Sequence, residues 1–210
     1  MSAALIAQLA GDLAPVRRRW PLWRHVLVWI GIQALVTIPM TLALGLRSDL
    51  AGKLATSLFS VELIGLLLLS GAAAVLALLA AVPGREPRPW PTAVALTIAA
   101  LALGISYGAG TPGDDLTRGW TCAVKTLAGA ALPWIALLVS VYRGAPLVPA
   151  LGGVLAGASA LAAAALVVRA TCPVDERWHL LLWHLGPVVL GCGASLLAGA
   201  RLLAHWRRAP

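Results

Sequence analysis

SLFSVELIGLLLLSGAAAVLALLAAV, residues 57–82, contains a single charged side chain, Glu62. A hydrocarbon core about 30 Å thick is crossed by roughly 20 apolar residues in α-helical form, and this run exceeds that length. Its side chains do not alternate in polarity, as the strands of a membrane barrel would. Five similar runs lie on either side of it, at about 25–45, 92–110, 124–142, 150–168 and 179–203. The chain as a whole is 60% hydrophobic and 11% charged, well above the roughly 45–50% apolar content of a soluble domain. The expected fold is an all-α integral membrane protein: a compact bundle of six transmembrane helices, 23–210, preceded by a short segment, 1–22, that carries an amphipathic helix.

The connectors are short and punctuated by Pro83-Gly84, Pro87, Thr111-Pro112-Gly113, Gly144-Ala145-Pro146 and Cys172-Pro173. Trp20, Trp23, Trp90, Trp120, Trp178 and Trp206 fall at the ends of the runs, where an indole is best solvated in a bilayer. The net charge of +8 sits between the apolar runs, so it reads as a topology signal rather than a nucleic-acid footprint. With the N-terminus inside, Arg17, Arg18, Arg19, Arg24, Arg85, Arg88, Arg143, Arg201, Arg207 and Arg208 face the cytoplasm. Arg47, Lys53, Arg118, Lys125, Arg169 and Arg177 face outward. The positive-inside bias therefore places both termini in the cytoplasm of an inner-membrane protein. No cleavable signal peptide is expected, because no charged region, short apolar core and cleavage site follow one another.

Ahead of the first span, Leu5, Ile6, Leu9 and Leu13 fall within about 100° of helical arc, bordered by Asp12 and ended by Pro15. Such a stripe suits a partner's groove or the lipid surface equally well. Cys122 and Cys172 lie in two different loops that parity assigns to the outer face, where thiols can oxidise. A bond between them would close a loop of about 50 residues and contribute roughly 4 kcal/mol. A structural staple and a thiol sensor are both open. His179 and His184 begin the last span, and two thiolates with His184 form a candidate soft-metal set. On a regular α-helix, however, His184 is turned about 140° from His179, so the two should not face one ligand. Glu62, near the outer end of the second span, either snorkels or pairs with a cation. Cys192 reads as a small hydrophobe. Gly153 and Gly157 mark a close helix contact, within the chain or between copies in a homo-oligomer. No phosphate loop, paired carboxylates or nucleophile with a base is present, so neither enzymatic activity nor a cofactor is expected. A small transporter or a thiol-handling membrane enzyme is the alternative class.

Taken in order, Leu5-Ile6, Leu9-Ala10, Asp12-Leu13, Pro15-Val16, Val82-Pro83-Gly84-Arg85, Arg143-Gly144-Ala145-Pro146 with Pro149, Cys172-Pro173 and Trp183-His184 resemble the NrsF family. These are negative regulators of the extracytoplasmic-function sigma factor called sigma F. The resemblance implies a six-span anti-sigma factor whose cytoplasmic N-terminal segment sequesters the sigma factor, with no direct contact to nucleic acid. It also implies that Cys122 and Cys172 sense heavy-metal or oxidative stress. Cys192 matches no family cysteine. The coupling expected from sequence is a shift of the fourth span against the sixth when the bond between the cysteines changes.

Overall fold

The computed structural model describes residues 10–11, 20–113 and 119–202. Of these residues 81% are helical, and none of them lies in a strand. Among the described residues, six helices are long and apolar enough to cross a membrane: α1 (Leu22–Leu44), α3 (Ser57–Ala80), α4 (Pro89–Gly108), α5 (Trp120–Tyr142), α6 (Pro149–Thr171) and α7 (Arg177–Leu202). A short α2 (Leu50–Leu54) lies between the first two spans. Helices satisfy every backbone group internally, which a span without water requires. Several ends differ from the sequence expectation by three or four residues. The fourth span begins at Trp120 rather than 124, and the fifth runs to Thr171 rather than 168. Cys122 therefore sits in the first turn of a helix instead of a loop. Arg169, assigned above to an outer loop, is a buried residue of α6.

The centre of the bundle is α6: 83% of its most apolar window is buried, against 11% for α1. Its composition explains this. Ala156, Ala160, Ala162 and Ala164 are fully buried, and such small side chains let neighbouring backbones approach, which is what drives association in lipid. Gly153 is the extreme case, since a Cβ there would lie 2.6 Å from the Cα of Gly199 on α7. The Gly153 and Gly157 face is thus used within the chain, against α7. On the other side, Ser70 of α3 donates to the carbonyl of Ser159 at 2.9 Å. The aromatic markers Trp20, Trp23, Trp90, Trp120 and Trp178 are all exposed at helix ends.

Hydrogen bonds between connectors identify the two ends of the bundle. At one end the Ala145 N–H donates to the Ala81 carbonyl at 3.2 Å. At the other, the Arg47 N–H donates to Ala170, Thr111 donates to Asp175 and Arg177 donates to Thr111, at 3.2, 2.9 and 3.0 Å. That second end carries both cysteines. Leu5, Ile6, Leu9, Asp12, Leu13 and Pro15 lie outside the described residues.

Candidate thiol and imidazole site

Cys122 is delivered by the first turn of α5, where its N–H donates to the Gly119 carbonyl at 2.9 Å. Cys172 ends α6: its N–H still donates to Val168 at 2.8 Å, but its own backbone is extended and Pro173 prevents the helix from continuing. The two side chains meet between the helices. Both are free thiols and only 7% exposed, and the Cys122 S–H donates to the Cys172 sulfur at 3.8 Å. Met40, Val168, Val174 and Trp183 pack around them.

Both histidines reach the same place, which corrects the sequence expectation that they diverge. The stretch Leu180–Leu185 is a π-helix. Its i→i+5 bonding brings residues five apart onto one face, and His179 and His184 are five apart. A physical cause lies just downstream: Pro187 has no N–H to give the carbonyl of Trp183, so the regular ladder is already interrupted there. Their rings lie 5.3 Å apart. The His179 Nε2 is 3.5 Å from the Cys172 sulfur. His184 is fully buried, stands edge-on to Tyr107 at 6.3 Å, and neither of its ring nitrogens has a hydrogen-bond partner. The ligand atoms of Cys122, Cys172, His179 and His184 all lie within 4.8 Å of one another.

This donor set fits a tetrahedral soft or borderline cation. With metal–sulfur bonds of about 2.3 Å and metal–nitrogen bonds of about 2.0 Å, tetrahedral ligand atoms lie about 3.3–3.8 Å apart. The sulfur–sulfur and sulfur–nitrogen distances here, 3.8 and 3.5 Å, already match. The Cys172 thiol is held below its ordinary range, first by the hydrogen bond from Cys122 and then, against the opposing effect of burial, by His179. A thiolate is the form that binds metal and the form that is oxidised. Cys192 is no part of the cluster and packs among core side chains of α6 and α7.

Beside the thiols lies a charge network that sequence reading did not assemble. Arg169 gives Nε to Glu62 at 2.8 Å and Nη1 to Asp175 at 2.7 Å. Asp175 also receives Arg47 and Lys53, each at 2.7 Å. Burial works against the Asp175 charge, but hydrogen bonds from Arg47, Lys53 and Arg169 outweigh it and hold the carboxyl below the usual range. The ring of Phe59 lies against both guanidiniums, 5.6 Å from Arg47 and 4.7 Å from Arg169.

The family model described as NrsF, negative regulator of sigma F, matches residues 9–206. The chain belongs to the NrsF family. Searches of the curated proteins and of the solved structures return no match. The NrsF match covers all six spans and every residue of the thiol and imidazole cluster. The family description makes the chain a negative regulator of a sigma factor, and a sigma factor its partner.

Proposed function

We propose that this NrsF protein is an anti-sigma factor of the bacterial inner membrane that holds an extracytoplasmic-function sigma factor and releases it on heavy-metal or oxidative envelope stress. In this reading both termini are cytoplasmic, and the segment 1–22 is the sequestering element, with Leu5, Ile6, Leu9, Asp12, Leu13 and Pro15 at its contact face. The observation that carries the sensor role is the enclosed meeting of two free thiols with two imidazoles. Burying an imidazole costs free energy unless its nitrogens are bonded, and those of His184 have no hydrogen-bond partner, as those of an empty ligand would. The cluster offers two chemistries: two thiols can be oxidised to a disulfide, or two thiolates and two imidazoles can hold one cation. The set supplies four donors without a water-filled position, as in structural rather than catalytic metal sites.

Sigma-dependent reporter transcription tests the reading in cells carrying C122S/C172S. Loss of the response to cadmium and to diamide, with the protein still inserted, is the expected outcome. An unchanged response to both removes the sensor role. Co-purification of a sigma factor from solubilised membranes, lost on substitution of Leu9 and Leu13 by charged residues, tests the sequestering role separately.

A further inference from the structure

The thiol site touches α1 at two points. Met40, near the end of that helix, packs against Cys122, Val168 and Cys172. Beyond the helix the chain turns at Gly45, whose φ of 73° suits glycine, and sends Arg47 back into the bundle. The Arg47 side chain is 1% exposed. Its Nη1 donates to the backbone carbonyl of Cys172 at 3.0 Å and to Asp175 at 3.1 Å. Its Nη2 donates to Asp175 at 2.7 Å and to Asp49 at 2.9 Å, and Nε to Asp49 at 2.6 Å. One guanidinium thus joins the end of α1 to the backbone of a site cysteine. Elsewhere α1 is the least enclosed span, held against α3, α5 and α6 by side-chain packing, so this junction is its polar tie to the thiol end of the bundle.

We propose that Arg47 is the positioning residue through which the chemical state of Cys122 and Cys172 reaches α1, and through α1 the segment before it. Only the last step, from that segment to a bound sigma factor, rests on the proposed function. The transmitting element is then the first span rather than a sliding of the fourth against the sixth. The mechanism follows from reach. Diamide takes two protons and two electrons from the two thiols; its N=N bond becomes a hydrazine as the S–S bond forms. The sulfurs must then close from 3.8 Å to about 2.05 Å. Cys122 is set in a helical turn, whereas Cys172 stands on the non-helical link between α6 and α7, so the Cys172 backbone makes most of the move. A hydrogen bond of 3.0 Å does not survive a displacement of ångström size, and Arg47 loses its carbonyl. Lysine, a point charge without the fork, cannot serve Cys172, Asp175 and Asp49 together.

Hydrogen–deuterium exchange of the full chain in nanodiscs, with and without diamide, tests the junction directly. In the unsubstituted protein, diamide is expected to speed exchange of residues 45–54 by at least about fivefold, since local opening sets that rate. R47A should exchange at the faster rate from the start and ignore diamide, with R47K intermediate; C122S/C172S should stay slow throughout. In cells, R47A should raise uninduced reporter transcription by at least about tenfold, the size of effect that loss of even one of its charge-assisted hydrogen bonds brings. Membrane content of each variant is measured alongside. If R47A is not inserted, D175N, which removes the shared carboxylate and keeps its volume, is expected to act in the same direction. Residues 45–54 that exchange at the unsubstituted rate in R47A, or that still respond to diamide there, overturn the proposal. So does R47A that keeps transcription silent and uninducible where the unsubstituted protein is induced by diamide. Diamide-linked exchange with a reporter silent in every variant supports the junction and rejects the sigma-factor reading.

Discussion

Glu62 of α3 and Arg169 of α6 form an ion pair at 2.8 Å whose side chains are 2% and 6% exposed. Removing one member of such a pair leaves a charge without compensation in a low-dielectric interior. R169A is therefore expected to cost about 3–5 kcal/mol. E62Q should cost less, because the amide oxygen still accepts from Arg169 while Asp175 retains the other nitrogen. Replacing both by well-packed apolar residues should recover much of the loss. Thermal unfolding in detergent, compared across the two single variants and the double one, measures this order.

Asp175 makes the end of the bundle sensitive to acid. Its carboxyl is held below the ordinary carboxylate range, so its ionised form is favoured by the folded state. The sign follows from linkage: that stabilisation is complete above about pH 4 and is lost as the pH falls through the folded value. Acidification of the medium at that end toward pH 3 and below should loosen residues 45–54 and 172–176 before the rest of the bundle. D175N should flatten that acid limb. Pulsed amide exchange over pH steps, corrected for intrinsic rates, reads the difference, and an unaltered acid limb in D175N would refute the assignment.

Most of the architecture was legible because a bilayer imposes a length on every apolar run. Residues 57–82 could satisfy that constraint in one way, and α3 occupies all but the last two positions of the run. The glycines at 153 and 157 marked a close contact for the same reason, although their partner on α7 is a property of the assembled bundle. Counting spans put Cys122 and Cys172 on one side of the bundle, but their meeting at 3.8 Å depends on how α5 and α6 pack. The histidines show where periodicity fails. A sequence scanned at 100° per residue assumes an unbroken α-helix, and the π-helical Leu180–Leu185 changes the angle between His179 and His184. Pro187 was the available cue. Arg47, Lys53, Glu62, Arg169 and Asp175 were each visible as charges, yet their junction depends on where four separate segments end, and segment ends are the least defined feature of an apolar run.

The α6 and α7 contact should tolerate no added volume at its glycines. A Cβ on Gly199 would stand 2.6 Å from the Pro149 carbonyl oxygen and 2.7 Å from the Gly153 Cα, both backbone atoms that cannot rotate away. G199L is expected to destabilise the bundle by at least the roughly 1–3 kcal/mol of ordinary overpacking. G193L, on the same helix with open space at its Cβ, should be close to neutral and serves as the control. Detergent-resistant folding measured by thermal shift distinguishes them.

The four-donor geometry predicts one cadmium ion per chain in the reduced, purified protein, with a sulfur-to-metal absorption band from two thiolates. C122S and C172S should each abolish tight binding, because the remaining thiolate has only imidazoles to share the cation. H184A is the sharper variant. Neither ring nitrogen of His184 makes a hydrogen bond, so its loss removes no direct bond from the resting fold and tests ligation itself. Its affinity should fall by more than the roughly 10–100-fold typical of losing an outer-shell partner, and H179A should follow it. The absorption band should persist at reduced occupancy in both histidine variants, since the sulfurs remain. Unchanged affinity in H184A together with H179A would leave a bare dithiol as the binding group, and the π-helical turn would then have no part in metal recognition.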